Sequence, residues 1–315
     1  MAVPAGLPPG MAVRLFASFR RLSRLVGVRC RATIAAMNRL LCAVLPCLLL
    51  AAPAAAQVHG RIYPAPKAPL DLAGLPAAAT LDTVLAADGL SLRGIEIPPR
   101  DGKPTLLVFH GNGSSAKRSV QWFAPLLEEG YGIVAAEYRE YSGNPGKASE
   151  AGLAADADAF YGRALALAGT GRLIVIGHSL GGAVALGLAT RRHLDALVTI
   201  GAFTRLRAMA PKLLRAAVPD EYDNEAAIAK IDEPFFLIQG TADDTVPWQQ
   251  GEQLARVADA AHKPGAAFVI RDAGHAPDGA VLAIILRAIV ARLDGADGVA
   301  GATLPEAVRL MPFGG

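Results

Sequence analysis

From about residue 81 onward, short apolar runs alternate with longer alanine-rich or amphipathic stretches. The segment 81–98, LDTVLAADGLSLRGIEIP, holds two apolar stretches around Asp88-Gly89 and predicts an antiparallel hairpin. Beyond it come PTLLVFH (104–110), YGIVAAEY (131–138), RLIVIG (172–177), ALVTIGAF (196–203), PFFLIQG (234–240) and AAFVIRD (266–272). Helical stretches lie near 120–129, 149–167, 182–190, 249–258 and 279–293. Near-continuous apolar strands are buried on both faces. The pattern therefore predicts one α/β domain over 81–294, a mostly parallel sheet of about eight strands with helices on both sides.

Four segments fall outside this rhythm. Residues 204–233 offer a short amphipathic helix interrupted by Pro211, expected to form a small lid over the C-terminal ends of the strands. Residues 57–80 are rich in Pro and Ala and read as a linker, and residues 295–315 read as a loose tail. Residues 1–56 carry seven Arg and no acidic residue, so the formal charge of +3 misrepresents the rest, where 24 basic residues face 28 acidic ones. This mildly acidic body has no basic, aromatic-rich patch of the kind that binds nucleic acid. Within the leader, Arg39, an apolar run from Leu40 to Leu50 and the small residues Ala54-Ala55-Ala56 follow the order of a secretory signal peptide cleaved before Gln57, with Met37 as the true start. That reading predicts a periplasmic or secreted protein. An uncleaved anchor over 40–56 is the alternative, and the only route to a membrane. Cys30, Cys42 and Cys47 all lie in the leader, so the body has no thiolate metal site, disulfide or cysteine nucleophile.

In an open parallel sheet, ligands bind beyond the C-terminal ends of the strands. The sequence GHSLGG places Ser179 between the strand 172–177 and a helix, the setting in which Gly-x-Ser-x-Gly forms a sharp turn with an exposed nucleophile. A serine hydroxyl needs a base to take its proton and an acid to orient that base. Candidates follow the later strands: Asp243, with Asp244 and Asp272 as rivals, and His275 in the loop after 266–272. The chain order Ser, Asp, His is that of one convergent triad type. FHGNGSS (109–115) ends another strand, so the oxyanion donors are expected to be the backbone N–H groups of Asn112 and Leu180. Leu206, Met209 and Leu213 in the lid segment are candidate acyl contacts.

These residues resemble the α/β-hydrolase superfamily, in the small-lid branch of serine aminopeptidase-like proteins, bacterial carboxylesterases and protein depalmitoylases. HGNG, GHSLGG, EYREYSGNPGKASEAGLAADADAF (137–160), GAFTRL (201–206) and QGTADDTVP (239–247) carry the resemblance over roughly 80–294. The spacing of Gly240, Asp243 and Pro247 selects Asp243 over its rivals. Glu140 and Ser142 stand where relatives usually have glycine. The resemblance implies a serine hydrolase acting on a small-molecule ester, thioester or short acylated substrate without metal or organic cofactor. Aminopeptidase-like amide cleavage, with Glu140 holding a substrate amine, and a non-catalytic binding protein are the alternatives.

Overall fold

The computed structural model describes residues 58–210, 215, 218–295 and 304–314, of which those from Gly60 onward belong to a compact unit spanning Gly60–Gly315. The leader, with its cysteines and cleavage site, lies outside the described residues, as does Leu213. Among the described residues no helix is long and apolar enough to cross a membrane.

Among the described residues nine strands form one sheet: β1 (Thr80–Leu85), β2 (Ser91–Ile97), β3 (Thr105–Phe109), β4 (Gly132–Ala136), β5 (Leu173–His178), β6 (Ala196–Ile200), β7 (Phe235–Gly240), β8 (Gly265–Ile270) and β9 (Val308–Phe313). Their spatial order is β1-β2-β4-β3-β5-β6-β7-β8-β9. The six strands from β4 to β8 run parallel, flanked by the antiparallel hairpin β1–β2 at one edge and by antiparallel β9 at the other. Every residue of β3, β4, β6 and β7 is buried, as unbroken apolar runs require of strands covered on both sides.

The helices are α1 (Ala116–Trp122), α2 (Ala124–Glu128), α3 (Glu150–Ala168), α4 (Leu180–Ala189), α5 (Leu206–Met209), α6 (Asn224–Ile228), α7 (Trp248–Ala260) and α8 (Gly279–Leu293). Alternation of side chains divides each strand between two cores. Leu106, Val108, Ile174, Ile176, Val198 and Phe236 join Phe123 and Leu126 of the α1–α2 region and Leu282, Ile285 and Ile289 of α8 in one apolar cluster. The opposite face is covered by α3, α4 and α7. Side chains close the helix starts: Ser149 accepts from Gly152 N at 3.1 Å, and Asp278 accepts from Ala280 N and Val281 N at 2.9 and 3.2 Å.

The expected loose tail is corrected in part, because residues 308–313 form β9. Val308 and Phe313 are buried, and β9 pairs with β8 from Ile270↔Val308 to Gly265↔Phe313. An edge strand with one exposed face needs few apolar residues, so the Arg and Pro in VRLMPF hide it. The segment expected to be a linker is also packed: Leu70 and Tyr63 are buried, and Pro66 O accepts from Ser142 N at 2.7 Å. The lid segment contributes the short helices α5 and α6.

Candidate active site

The chain leaves β3 toward β4 on one side of the sheet and later returns to β5 on the other. A crevice opens where that order reverses, and the loops after β3 and β5 face each other across it. Ser179 occupies the turn from β5 into α4 with φ 53° and ψ −115°, a left-handed strain typical of a nucleophile held at an elbow. Two glycines make the elbow possible. A Cβ on Gly177 would lie 2.1 Å from Gly181 O, and one on Gly181 would lie 2.0 Å from Phe109 O. Gly182 is less constrained, since its nearest contact would be 3.3 Å.

The strand ends β7 and β8 bring Asp243 and His275 together. Ala242 N donates to Ala273 O at 2.9 Å, and a Cβ on Gly240 would strike Ala273 O at 2.2 Å, so these two loops pack backbone to backbone. His275 Nδ1 donates to Asp243 Oδ2 at 2.8 Å. The Asp243 side chain is 1% exposed and the His275 side chain 18%. Asp243 Oδ1 accepts from Thr245 N and Val246 N at 2.9 and 2.8 Å, while Oδ2 also accepts from Gln239 Nε2 at 3.0 Å. Asp244 and Asp272 are exposed and contact no histidine among the described residues. With Nδ1 carrying the proton toward Asp243, Nε2 of His275 is left with a free lone pair, able to accept a proton.

Ser179 N donates to Ile200 O at 2.9 Å, and the His275 ring lies over the next residue, where a Cβ on Gly201 would be 3.0 Å from Nδ1. Ser179 and the His275 ring therefore both lie at the end of β6. The Ser179 hydroxyl makes no hydrogen bond among the described residues, a contact that in unliganded hydrolytic sites commonly tightens only when substrate arrives.

The N–H groups of Asn112 and Leu180 both lack a partner among the described residues, as oxyanion donors must. The loop bearing Asn112 is held from below. His110 Nε2 and Glu137 Oε1 are 2.9 Å apart, Glu137 Oε2 accepts from Ala116 N at 2.8 Å, and Tyr138 Oη donates to His110 O at 2.8 Å. Tyr141 Oη donates to Asn112 Oδ1 at 3.3 Å. Glu137 was not singled out by the sequence, although a carboxylate at the end of an apolar strand is the available signal. Glu140 and Ser142 take φ of 72° and 48°, so both keep a backbone shape that favours glycine. The Glu140 carboxylate accepts from Ala148 N at 2.9 Å and lies 3.7 Å from Lys67 Nζ, so it is engaged within the loop.

His178 packs against His275. Its Nε2 donates to His275 O at 2.9 Å, its ring lies tilted by 45° against that of His275 at a centroid distance of 4.6 Å, and Trp122 meets it edge-on at 5.0 Å. Burial, reinforced by the neighbouring His275, lowers the His178 pKa to about 4. An unfolded chain binds this proton near pH 6.5 and the folded one only near 4, so stability is complete above pH 6.5 and falls as pH drops through that window. The expected loss is on the order of 3 kcal/mol. Urea melts of wild type and His178→Asn at pH 7 and 4.5 check it: the variant loses distinctly less stability between the two pH values than wild type.

A cavity of about 580 Å³ opens next to the chain neighbours of Ser179 and His275. His178, Ala276 and Asn112 border it, with Val108, Ile176 and Phe123 among its lining. Leu206 and Met209 are partly buried and do not line it. Met209 Sδ instead accepts from Gln250 Nε2 at 3.0 Å, which ties α5 to α7.

A family model described as "Serine aminopeptidase, S33" matches residues 100–220. The Mycobacterium tuberculosis protein Rv2307c is 36% identical over 197 residues, covering 60% of this chain and 69% of its own length. The chain belongs to the α/β-hydrolase superfamily. This hydrolase is also 28% identical over 206 residues to YfhR of Escherichia coli, covering 60% of the chain and 71% of YfhR. Among solved structures, the Pyrococcus furiosus esterase Pf2001 has a TM-score of 0.58 at 22% identity, with 73% of this chain and 97% of the esterase covered. A Mycobacterium tuberculosis puromycin-hydrolyzing peptidase has a TM-score of 0.58 at 17% identity, covering 76% and 43%.

Proposed function

We propose that this hydrolase cleaves carboxylic esters or thioesters through an acyl-enzyme on Ser179. The observation that carries the reading is the hydrogen bond of 2.8 Å from His275 to buried Asp243 beside a strained Ser179. Ser179 Oγ attacks the carbonyl carbon and its proton passes to His275 Nε2, while the carbonyl oxygen becomes an oxyanion held by the N–H groups of Asn112 and Leu180. Collapse of this intermediate breaks the bond to the leaving group, which takes the proton from His275. Water then attacks the acyl-enzyme, gives a proton to His275, and the acid leaves as Ser179 Oγ is reprotonated. Asp243 stays ionised throughout and stabilises the imidazolium. Engagement of Glu140 by Ala148 N–H favours ester over amine-anchored peptide substrates, because that carboxylate was the sequence's candidate for holding an amine.

A fluorophosphonate probe tests the nucleophile. Wild type is expected to be labelled at Ser179 and Ser179→Ala not at all. Equal labelling of the two would overturn the assignment.

A further inference from the structure

The cavity bordered by Asn112, His178 and Ala276 is two-sided in character. Its floor is apolar, with Val108, Ile176 and Phe123 no more than 1% exposed. Its rim is polar and exposed, with Arg118 and Gln121 of α1 opposite the Asn112 loop. Among the described residues Arg118 is the only charged side chain of fixed sign in the lining, and no described carboxylate shares it. The preceding residue, Lys117, is paired with Asp71, whereas the Arg118 guanidinium has no acidic or carbonyl partner among the described residues. His178 in the wall is held neutral by burial and so adds no charge at neutral pH.

A volume of about 580 Å³ holds some twenty non-hydrogen atoms at roughly 30 Å³ each. That is room for an acyl ester together with a polar substituent. An unpaired guanidinium at the mouth of an otherwise uncharged cavity matches a planar or tetrahedral anion, which it can hold through two parallel N–H donors.

We propose that this cavity is the substrate site and that Arg118 selects esters bearing an anionic group, a carboxylate or a phosphate, whose apolar part lies on the Val108–Ile176–Phe123 floor. The selection rests on the serine hydrolase reading above. Asn112, one of the two expected oxyanion donors, borders the cavity, and His178 and Ala276 in its wall are the chain neighbours of Ser179 and His275.

Two pairs of esters distinguish where the anion sits. 4-Nitrophenyl hydrogen glutarate against its methyl-capped diester places the charge on the acyl side. The butyryl ester of glycerol 3-phosphate against monobutyrin places it on the leaving group. In at least one pair wild type is expected to favour the anionic member by about 10- to 100-fold in kcat/KM. Arg118→Gln brings that ratio to about one, and Arg118→Lys, which keeps the charge but loses the fork, retains part of it. A wild-type ratio near one in both pairs, or a ratio that survives Arg118→Gln, overturns the proposal while leaving ester hydrolysis intact. If neither pair is turned over and the fluorophosphonate fails to label, the hydrolase reading falls instead. Calorimetric titration with hexylphosphonate then still decides on the cavity: binding weakened at least about tenfold by Arg118→Gln supports the anion site, and no binding to wild type removes it.

Discussion

Asp243→Asn is expected to lower kcat by about 10⁴-fold while leaving the fold intact. The reason is the number of donors aimed at this carboxylate. Two backbone N–H groups, those of Thr245 and Val246, converge on Oδ1, and neither can turn away. An asparagine must keep its single carbonyl oxygen there, which leaves its NH₂ facing His275. A donor now meets Nδ1, so Nδ1 becomes the acceptor, the proton moves to Nε2, and the base points a hydrogen at Ser179. Gln239 can adapt by an amide flip that turns its Oε1, buried with no partner among the described residues, toward the new NH₂, at the loss of the long 3.3 Å bond from Nε2 to Val246 O. Structure and melting temperature should therefore hold while turnover of an activated ester collapses. Asp244→Asn, at the exposed neighbour, should change kcat less than twofold to threefold, within the range of surface substitutions. Comparable losses in both variants would sink the assignment of Asp243.

The second large effect is on folding. Gly181→Ala places a methyl group 2.0 Å from Phe109 O, 2.5 Å from Phe109 C and 2.8 Å from His110 O. These are backbone atoms at the end of β3, fixed by pairing on both sides, so α4 rather than β3 must yield. Moving α4 displaces Leu180 N–H and the Ser179 elbow and opens the packing of α4 on β5 and β6. A loss above about 4 kcal/mol is expected, or a fall in melting temperature of at least about 10 °C. Gly162→Ala is the matched control: it sits inside α3, and nothing lies within 4 Å of the added methyl. There the same change is expected to stabilise by about 0.5–1 kcal/mol through lower chain entropy. A Gly181→Ala protein that melts within 2 °C of wild type at roughly this scale would refute the close-packing argument.

The parallel strands were legible because burial on both faces leaves an unbroken apolar run, and β3 to β8 show one each. The arrangement of Ser179, Asp243 and His275 was legible because each follows a different strand, and parallel strands deliver their C-terminal ends to the same edge. Other features were hidden by the same physics. β9 is half exposed, so VRLMPF carries no run. Glu137 and Gln239 act through what they touch, and nothing in the local sequence says that one faces His110 and the other Asp243. The cavity draws its wall from β3, α1, β5 and the His275 loop, four segments that are distant in sequence. Tyr63, which donates to Asp220 Oδ2 at 2.6 Å and lies 3.0 Å from Tyr222 Oη, binds a stretch that composition marks as linker.

The position of β9 has a consequence for synthesis on the ribosome. β8 is made well before its outer neighbour, and at roughly 5–20 residues per second the stretch between Ile270 and Val308 takes about 2–8 s to emerge. During that interval the six residues of β8 present unpaired backbone groups along an apolar edge, next to the newly formed His275 loop. Nascent chains that stall there offer a template for intermolecular strand addition, and the last strand to appear is the one that removes it.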